Sequence, residues 1–298
     1  MKPDAFSLGA TLYLPATRPD LLKVIRSRQV DLRSAVICLE DSVRPQDTPL
    51  ALANLRDLLA TLDGSETPHL FVRPRNPMML AQISNLPHLD RLAGFVLPKV
   101  AASNLPDYLS CAHDNHLLMP TLETREALDP VQIHDLRNQL LAVQHRILAL
   151  RIGGNDLLQT IGARRSAVRT AYDGPLGHIV ATLVTAFAPY GFALSAPVFE
   201  HFGNPALLAE EVERDMEFGL YTKTAIHPAQ IAAIQSLYAV DGGDLLEART
   251  ILSEQSRAVF GSRGSMCEPQ THQRWAEAVI RRADEFGTRP GTAVAITA

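Results

Sequence analysis

Short apolar runs alternate along the chain with longer stretches of helical character. The runs are residues 11–15, 34–39, 69–72, 94–98, 116–122, 147–152, 192–198 and 221–227. Most lack an in/out polar alternation, which is the pattern of parallel strands covered on both faces. Eight such runs separated by helices predict an α/β chain folded as a (β/α)8 TIM barrel. A doubly wound open sheet is the alternative, but no GxGxxG follows the first run and Gly153-Gly154 lacks the spacing of a dinucleotide or P-loop fingerprint. Arg18-Pro19-Asp20 opens a first helix, residues 46–62 form a second, and Thr124 is placed to cap the helix that follows residues 116–122.

The polar residues of the barrel stretch gather where the runs end: Glu40 and Asp41, Arg73, Lys99, Glu123, Asp156 and His227. In a parallel barrel those ends share one rim, where sites are assembled. Glu123 and Asp156 would thus reach the same place. A hard cation such as magnesium uses one or two protein carboxylates and completes its shell with water and an anionic substrate. The plainer reading is a pair of helix N-terminal acids answering the macrodipole. Arg73 reads equally as an ion-pair partner of Glu40 or Asp41, Lys99 as a site cation or a brace, and His227 as a helix-entry histidine.

Beyond the last run the pattern changes. Asp241-Gly242-Gly243-Asp244 interrupts it, a helix is predicted over 245–259, a glycine-rich stretch over 261–269, and a last helix over 271–286. The expected organisation is a barrel over 1–240, a helical extension over 241–288 and a frayed tail over 289–298. The 261–269 stretch reads as a candidate lid loop or as a plain connector between helices.

Composition narrows the partners. The 298 residues carry a net charge of −4, with no basic block interleaved with aromatics, so nucleic acid is not expected. No apolar run is long enough for a bilayer and the N-terminus lacks a charged-then-apolar leader, so a soluble, cytoplasmic protein with no membrane partner is expected. Cys38, Cys111 and Cys267 show neither CxxC nor Cys/His spacing, which argues against zinc or a disulfide framework.

Leu14-Pro15-Ala16-Thr17-Arg18-Pro19, Leu39-Glu40-Asp41-Ser42-Val43, Val72-Arg73, Leu97-Pro98-Lys99-Val100, Pro120-Thr121-Leu122-Glu123-Thr124, Gly154-Asn155-Asp156-Leu157 and Ile226-His227-Pro228-Ala229-Gln230-Ile231 follow in an order and spacing that resembles the citrate lyase β-subunit-like proteins of the HpcH/HpaI aldolase superfamily. The resemblance implies a magnesium-dependent barrel that cleaves a 3-hydroxy dicarboxylic acyl thioester into a keto acid such as oxaloacetate and an acyl thioester, on coenzyme A or an acyl carrier. It implies Glu123 and Asp156 as metal ligands, Arg73 as the clamp on the keto-acid carboxylate, and Glu40-Asp41 as the acidic pair orienting it. Lys99 is a further candidate contact, Arg75 a rival clamp, and Arg18 a candidate contact to a coenzyme A phosphate. Glu268, in Met266-Cys267-Glu268, stands where relatives carry a lid aspartate and is the candidate acid/base, one methylene longer. Trimers or hexamers are implied as well. Thioester hydrolysis or malate-synthase-like condensation on the same site, and a keto-acid binding protein without turnover, are the alternatives.

Overall fold

The computed structural model describes residues 3–64 and 68–289. The strands β1 (Ala10–Pro15), β2 (Ser34–Cys38), β3 (His69–Arg73), β4 (Gly94–Leu97), β5 (Leu117–Leu122), β6 (Leu150–Ile152), β7 (Leu194–Ser195) and β8 (Lys223–Ala225) form one parallel sheet in the order β7-β6-β5-β4-β3-β2-β1-β8. The bridge between Ala196 and Lys223 brings the two ends together, so the sheet is a nearly closed barrel. The helices around it are α1 (Leu21–Ile25), α2 (Thr48–Thr61), α3 (Pro77–Ser84), α4 (Leu105–Cys111), α5 (Pro130–Ala142), α6 (Gly154–Thr160), α7 (Pro175–Phe187), α8 (Pro205–Glu217) and α9 (Pro228–Tyr238).

Inward side chains fill the lower barrel with Leu8, Val36, Phe71, Val96, Met119 and Ala149. Such packed layers are what make a TIM barrel a core rather than a pore. Six of the eight strands are shorter than the apolar runs that predict them, β1 and β3 being the exceptions: residues 192–198 contribute only Leu194–Ser195. The flanks are apolar because they are buried, which hydrophobicity alone does not distinguish from pairing. Thr124 precedes a 3-10 turn (Arg125–Leu128) and makes no side-chain cap bond; Asp129 instead accepts from the Val131 N–H and opens α5. Pro19 likewise lies before α1 rather than inside it.

One seam is riveted by charge. Lys223, fully buried at the start of β8, donates to Glu211 Oε1 at 2.9 Å and Asp215 Oδ2 at 2.8 Å on α8. Arg165 donates to Glu211 and to the Val198 carbonyl, the Ala171 N–H donates to Glu211 at 2.9 Å, and the Tyr172 hydroxyl donates to Asp215 at 2.5 Å. Two acids four residues apart lie on the inner face of α8, so a lysine on the strand can meet both.

By contacts the chain divides into two units, residues 1–234 and 235–298. The second contains β9 (Val240–Asp241), α10 (Gly242–Ile251), β10 (Phe260–Ser262), β11 (Ser265–Cys267), α11 (Pro269–Phe286) and β12 (Thr288–Arg289). Its core is Val240, Ala248, Ile251, Ala276 and Val279. The helix predicted over 245–259 ends at Ile251. The glycine-rich stretch is an antiparallel hairpin turning on Arg263 and Gly264, both at positive φ (51° and 79°), the mirror-image turn that matches strand twist. Thr288 and Arg289, expected in or beside a frayed end, pair with Val240 and Asp241; the rest of the expected tail, 290–298, lies outside the described residues. No helix among the described residues is long and apolar enough to cross a membrane.

Candidate active site

Parallel strands deliver their C-terminal ends together, and the charged residues found there form one connected cluster. Arg73, the last residue of β3, reaches Glu40 at 2.8 Å, Glu123 at 3.1 Å and Asp41 at 3.8 Å. Lys99 Nζ pairs with Glu40, lies 3.2 Å from Asp41 and 3.9 Å from Asp156. Four acids therefore share two cations.

Glu123 is nearly inaccessible, and its Oε1 accepts from Arg73 and, at 2.8 Å, from the backbone N–H of Lys99. The second bond is missed by any side-chain reading. Lys99 sits at φ 50°, a left-handed conformation uncommon for a residue with a side chain, immediately beyond β4. The other oxygen, Oε2, lies where a Cβ on Gly153 would fall: a side chain there would meet it at 2.4 Å. Gly153 is thus a cradle for the carboxylate rather than part of a nucleotide loop.

The electrostatics follow from this crowding. Burial pushes the Glu123 carboxyl up to about 7 against the pull of Arg73, and the neighbouring Asp156 adds to the rise. Asp156, in the first turn of α6, is also raised, by burial first and by Asp41, with Lys99 opposing. Within the acidic pair burial raises Glu40, whereas Glu40 and Lys99 hold Asp41 below its ordinary value against burial. Burial works against the charge on Arg73, but the surrounding acids keep it firmly protonated.

Asp41, Arg73, Glu123 and Asp156 line a pocket of about 280 Å³ together with Gly153 and, lower down, Arg151. Its acids are all hard oxygen donors, one with an oxygen cradled against bare backbone, and burial first, then a neighbouring acid, raises two of them, Glu123 and Asp156. That donor set fits a magnesium-type cation bound by two carboxylates with water and substrate. Among the described residues no group of three or more His, Cys, Asp or Glu is arranged to hold a metal ion.

Not every candidate of the barrel unit joins. Arg75 turns away: its Nη2 donates to the Glu40 carbonyl at 3.3 Å and the Val43 carbonyl at 2.6 Å, bracing the loop behind the acids. Arg18 is held by Asp20 through two bonds of 2.8 Å and borders a different hollow, beside Asn54, Asp57 and Thr61. His227 accepts the Ala229 N–H at its Nδ1, the expected helix-entry role. Glu268 belongs to the second unit, immediately before α11, where the Thr271 hydroxyl lies 3.4 Å from its Oε2. Cys267 beside it is buried, and burial first, then Glu247, raises its thiol above the usual range.

A family model described as C-C_Bond_Lyase of the TIM-Barrel fold matches residues 2–288. The chain is 23% identical over 294 residues to an L-malyl-CoA/β-methylmalyl-CoA lyase of Cereibacter sphaeroides, covering 88% of this chain and 89% of the relative. It is 23% identical over 244 residues to a (3S)-malyl-CoA thioesterase of the same species, covering 80% of each. Among solved structures it resembles the protein CitE of Mycobacterium tuberculosis in complex with magnesium, acetoacetate and coenzyme A, with a TM-score of 0.70, 25% identity, and 94% and 99% of the two chains covered.

Proposed function

The chain belongs to the C-C bond lyase family of the TIM-barrel fold and is a carbon–carbon lyase; from that premise we propose that it is magnesium-dependent and cleaves a 3-hydroxy acyl thioester into a keto acid and a shorter acyl thioester. The observation carrying this is the acid-rich pocket in which Glu123 and Asp156 lie beside the Arg73 guanidinium. Glu123 and Asp156 would hold the cation, which supplies charge neutralisation at oxygens that become anionic.

In the cleavage the 3-hydroxyl loses its proton, its electron pair becomes the new carbonyl as the carbon–carbon bond breaks, and the released pair resides on the thioester as an enolate until its carbon takes a proton. Arg73 binds the carboxylate of the nascent keto acid. Its guanidinium is fixed from behind by Glu40, which keeps the donor oriented without reorganisation at the moment of reaction. Asp41 and Lys99 orient that pair from the open side. Glu40, Arg73 and Glu123 are largely buried, so water does little to weaken the bonds among them, whereas Asp41 and Lys99 stand half-exposed.

The test is keto-acid release from citryl-, malyl- and citramalyl-CoA with magnesium and with chelator. Magnesium-dependent release from one of them is expected; silence across all three, in folded protein, counts against the proposal. The malyl-CoA thioesterase relative supports a second reading, hydrolysis of the thioester on the same site. Free coenzyme A appearing without keto acid identifies that reaction.

A further inference from the structure

Arg151 is a charged residue inside the barrel that the cleavage just described does not use. It lies on β6 two residues, about 7 Å of strand, before Gly153, in register with Thr121 of β5 and Ser195 of β7. Its side chain is 2% exposed, yet it lines the same pocket as Glu123 and Asp156. Nη2 donates to the Thr224 hydroxyl at 2.6 Å, Nη1 lies 3.6 Å from the Met119 sulfur, and the guanidinium sits 5.3 Å from the centre of the Tyr13 ring.

Barrel interiors are ordinarily filled by branched apolar side chains, and a guanidinium in that layer carries a desolvation cost. The pocket thus has two unlike ends. Its rim holds the excess acids Asp41, Glu123 and Asp156, and its floor holds a cation with a hydroxyl and an aromatic ring beside it. On the lyase reading, a keto acid with one carboxylate would be engaged at the rim by Arg73 and by the cation that Glu123 and Asp156 would hold. A second anionic group on the same small molecule would be repelled by the rim acids and drawn to the floor.

We propose that Arg151, supported by Thr224 and Tyr13, is a specificity-determining residue that receives the second carboxylate of a dicarboxylic keto acid, so that the enzyme's product is of the oxaloacetate type rather than a monocarboxylic keto acid. The inference rests on the lyase reading above and names the substrate class for that site. It places the discriminating contact inside the barrel, away from the thioester.

The experiment is calorimetric titration of the magnesium-loaded protein with oxaloacetate and with pyruvate, which share the rim-binding keto and carboxylate groups and differ in the second carboxylate. Wild-type protein should prefer oxaloacetate. Arg151→Met should weaken oxaloacetate by about tenfold to a hundredfold, the range for a charge-assisted bond, and leave pyruvate nearly unchanged. Arg151→Lys, which keeps the charge and guards against misfolding of the methionine variant, should retain part of the preference. Equal weakening of both ligands, or an intact preference in folded Arg151→Met and Arg151→Lys proteins, overturns the inference and leaves the lyase reading standing. Failure of wild-type protein to bind either keto acid with magnesium overturns the lyase reading and this inference with it.

Discussion

The barrel unit carries a buried charge cluster and a partly open one, and they are built to opposite ends. Arg165, Glu211, Asp215 and Lys223 on its outer side balance two cations against two acids, every member buried, with Tyr172 and backbone groups taking up the remaining oxygens. Glu40, Asp41, Arg73, Lys99, Glu123 and Asp156 at the rim set four acids against two cations and open onto a pocket. Neutral and closed, the first holds α8 against β8. Acidic and open, the second is incomplete without a further cation. Burial of charge alone does not mark a site; uncompensated charge facing a cavity does.

The largest expected effect breaks the closed cluster. Lys223→Met leaves Glu211 and Asp215 buried without their shared cation, and removing one partner of such a network costs about 3–5 kcal/mol. A fall in Tm of roughly 10 °C follows for a chain of this size, read by calorimetry. A Tm within a degree or two of wild type would mean that the cluster is no staple.

The next tests the open cluster with a milder change. Glu123→Gln keeps the shape and the bonds from Lys99 and Arg73 to Oε1. Because it removes one of several mutually repelling acids, it should leave Tm unchanged or raise it while cutting turnover by about 10² to 10³. Full activity, or a loss of stability like that of Lys223→Met, would erase the distinction between the clusters.

The rim was legible in the sequence because strand polarity is. Once eight parallel strands are recognised, the charges at their ends must converge, and Glu40, Asp41, Arg73, Lys99, Glu123 and Asp156 do. What orients them was not. The Lys99 bond to Glu123 comes from backbone at positive φ, and Arg75, past the end of β3, is spent on backbone carbonyls. Arg151 left a signal that went unread: one charge within the apolar run 147–152, where a buried arginine needs a reason. For the closed cluster, Glu211 and Asp215 stand four apart among Leu207, Leu208 and Val212, but their partner Lys223 is supplied by the fold. The hairpin at Arg263-Gly264 was hidden because its strands are only three residues long.

A smaller effect sharpens the idea of excess acid. Lys99 Nζ is half-exposed, so its interactions are screened, about 1 kcal/mol at 4 Å in water. Lys99→Met makes the rim more acidic and should tighten magnesium a few-fold in calorimetry while weakening keto-acid binding. Weaker magnesium binding would show that Lys99 positions the ligands rather than competing with the cation.

The smallest expected effect concerns pH, and asks whether the closed cluster is silent near neutrality. His116, buried outside both clusters, has its Nε2 at 3.1 Å from the Leu89 carbonyl and packs edge-on against Phe95. Burial first, then His113 and Arg146, lowers its value, while the bond to Leu89 opposes. With the folded value below the unfolded one, the unfolded chain binds more protons as pH drops below about 6.5, so this contribution is complete above that pH and is lost below it. Glu123, raised to about 7, has the opposite sign over part of the same range, so the wild-type curve mixes the two. The difference between wild type and His116→Phe isolates the histidine: it should slope by at most about 1.4 kcal/mol per pH unit between roughly pH 6.5 and 5. A flat difference would mean that His116 titrates alike in the folded and unfolded states, and any acid loss in that window would then have to be sought among the charges of the closed cluster itself.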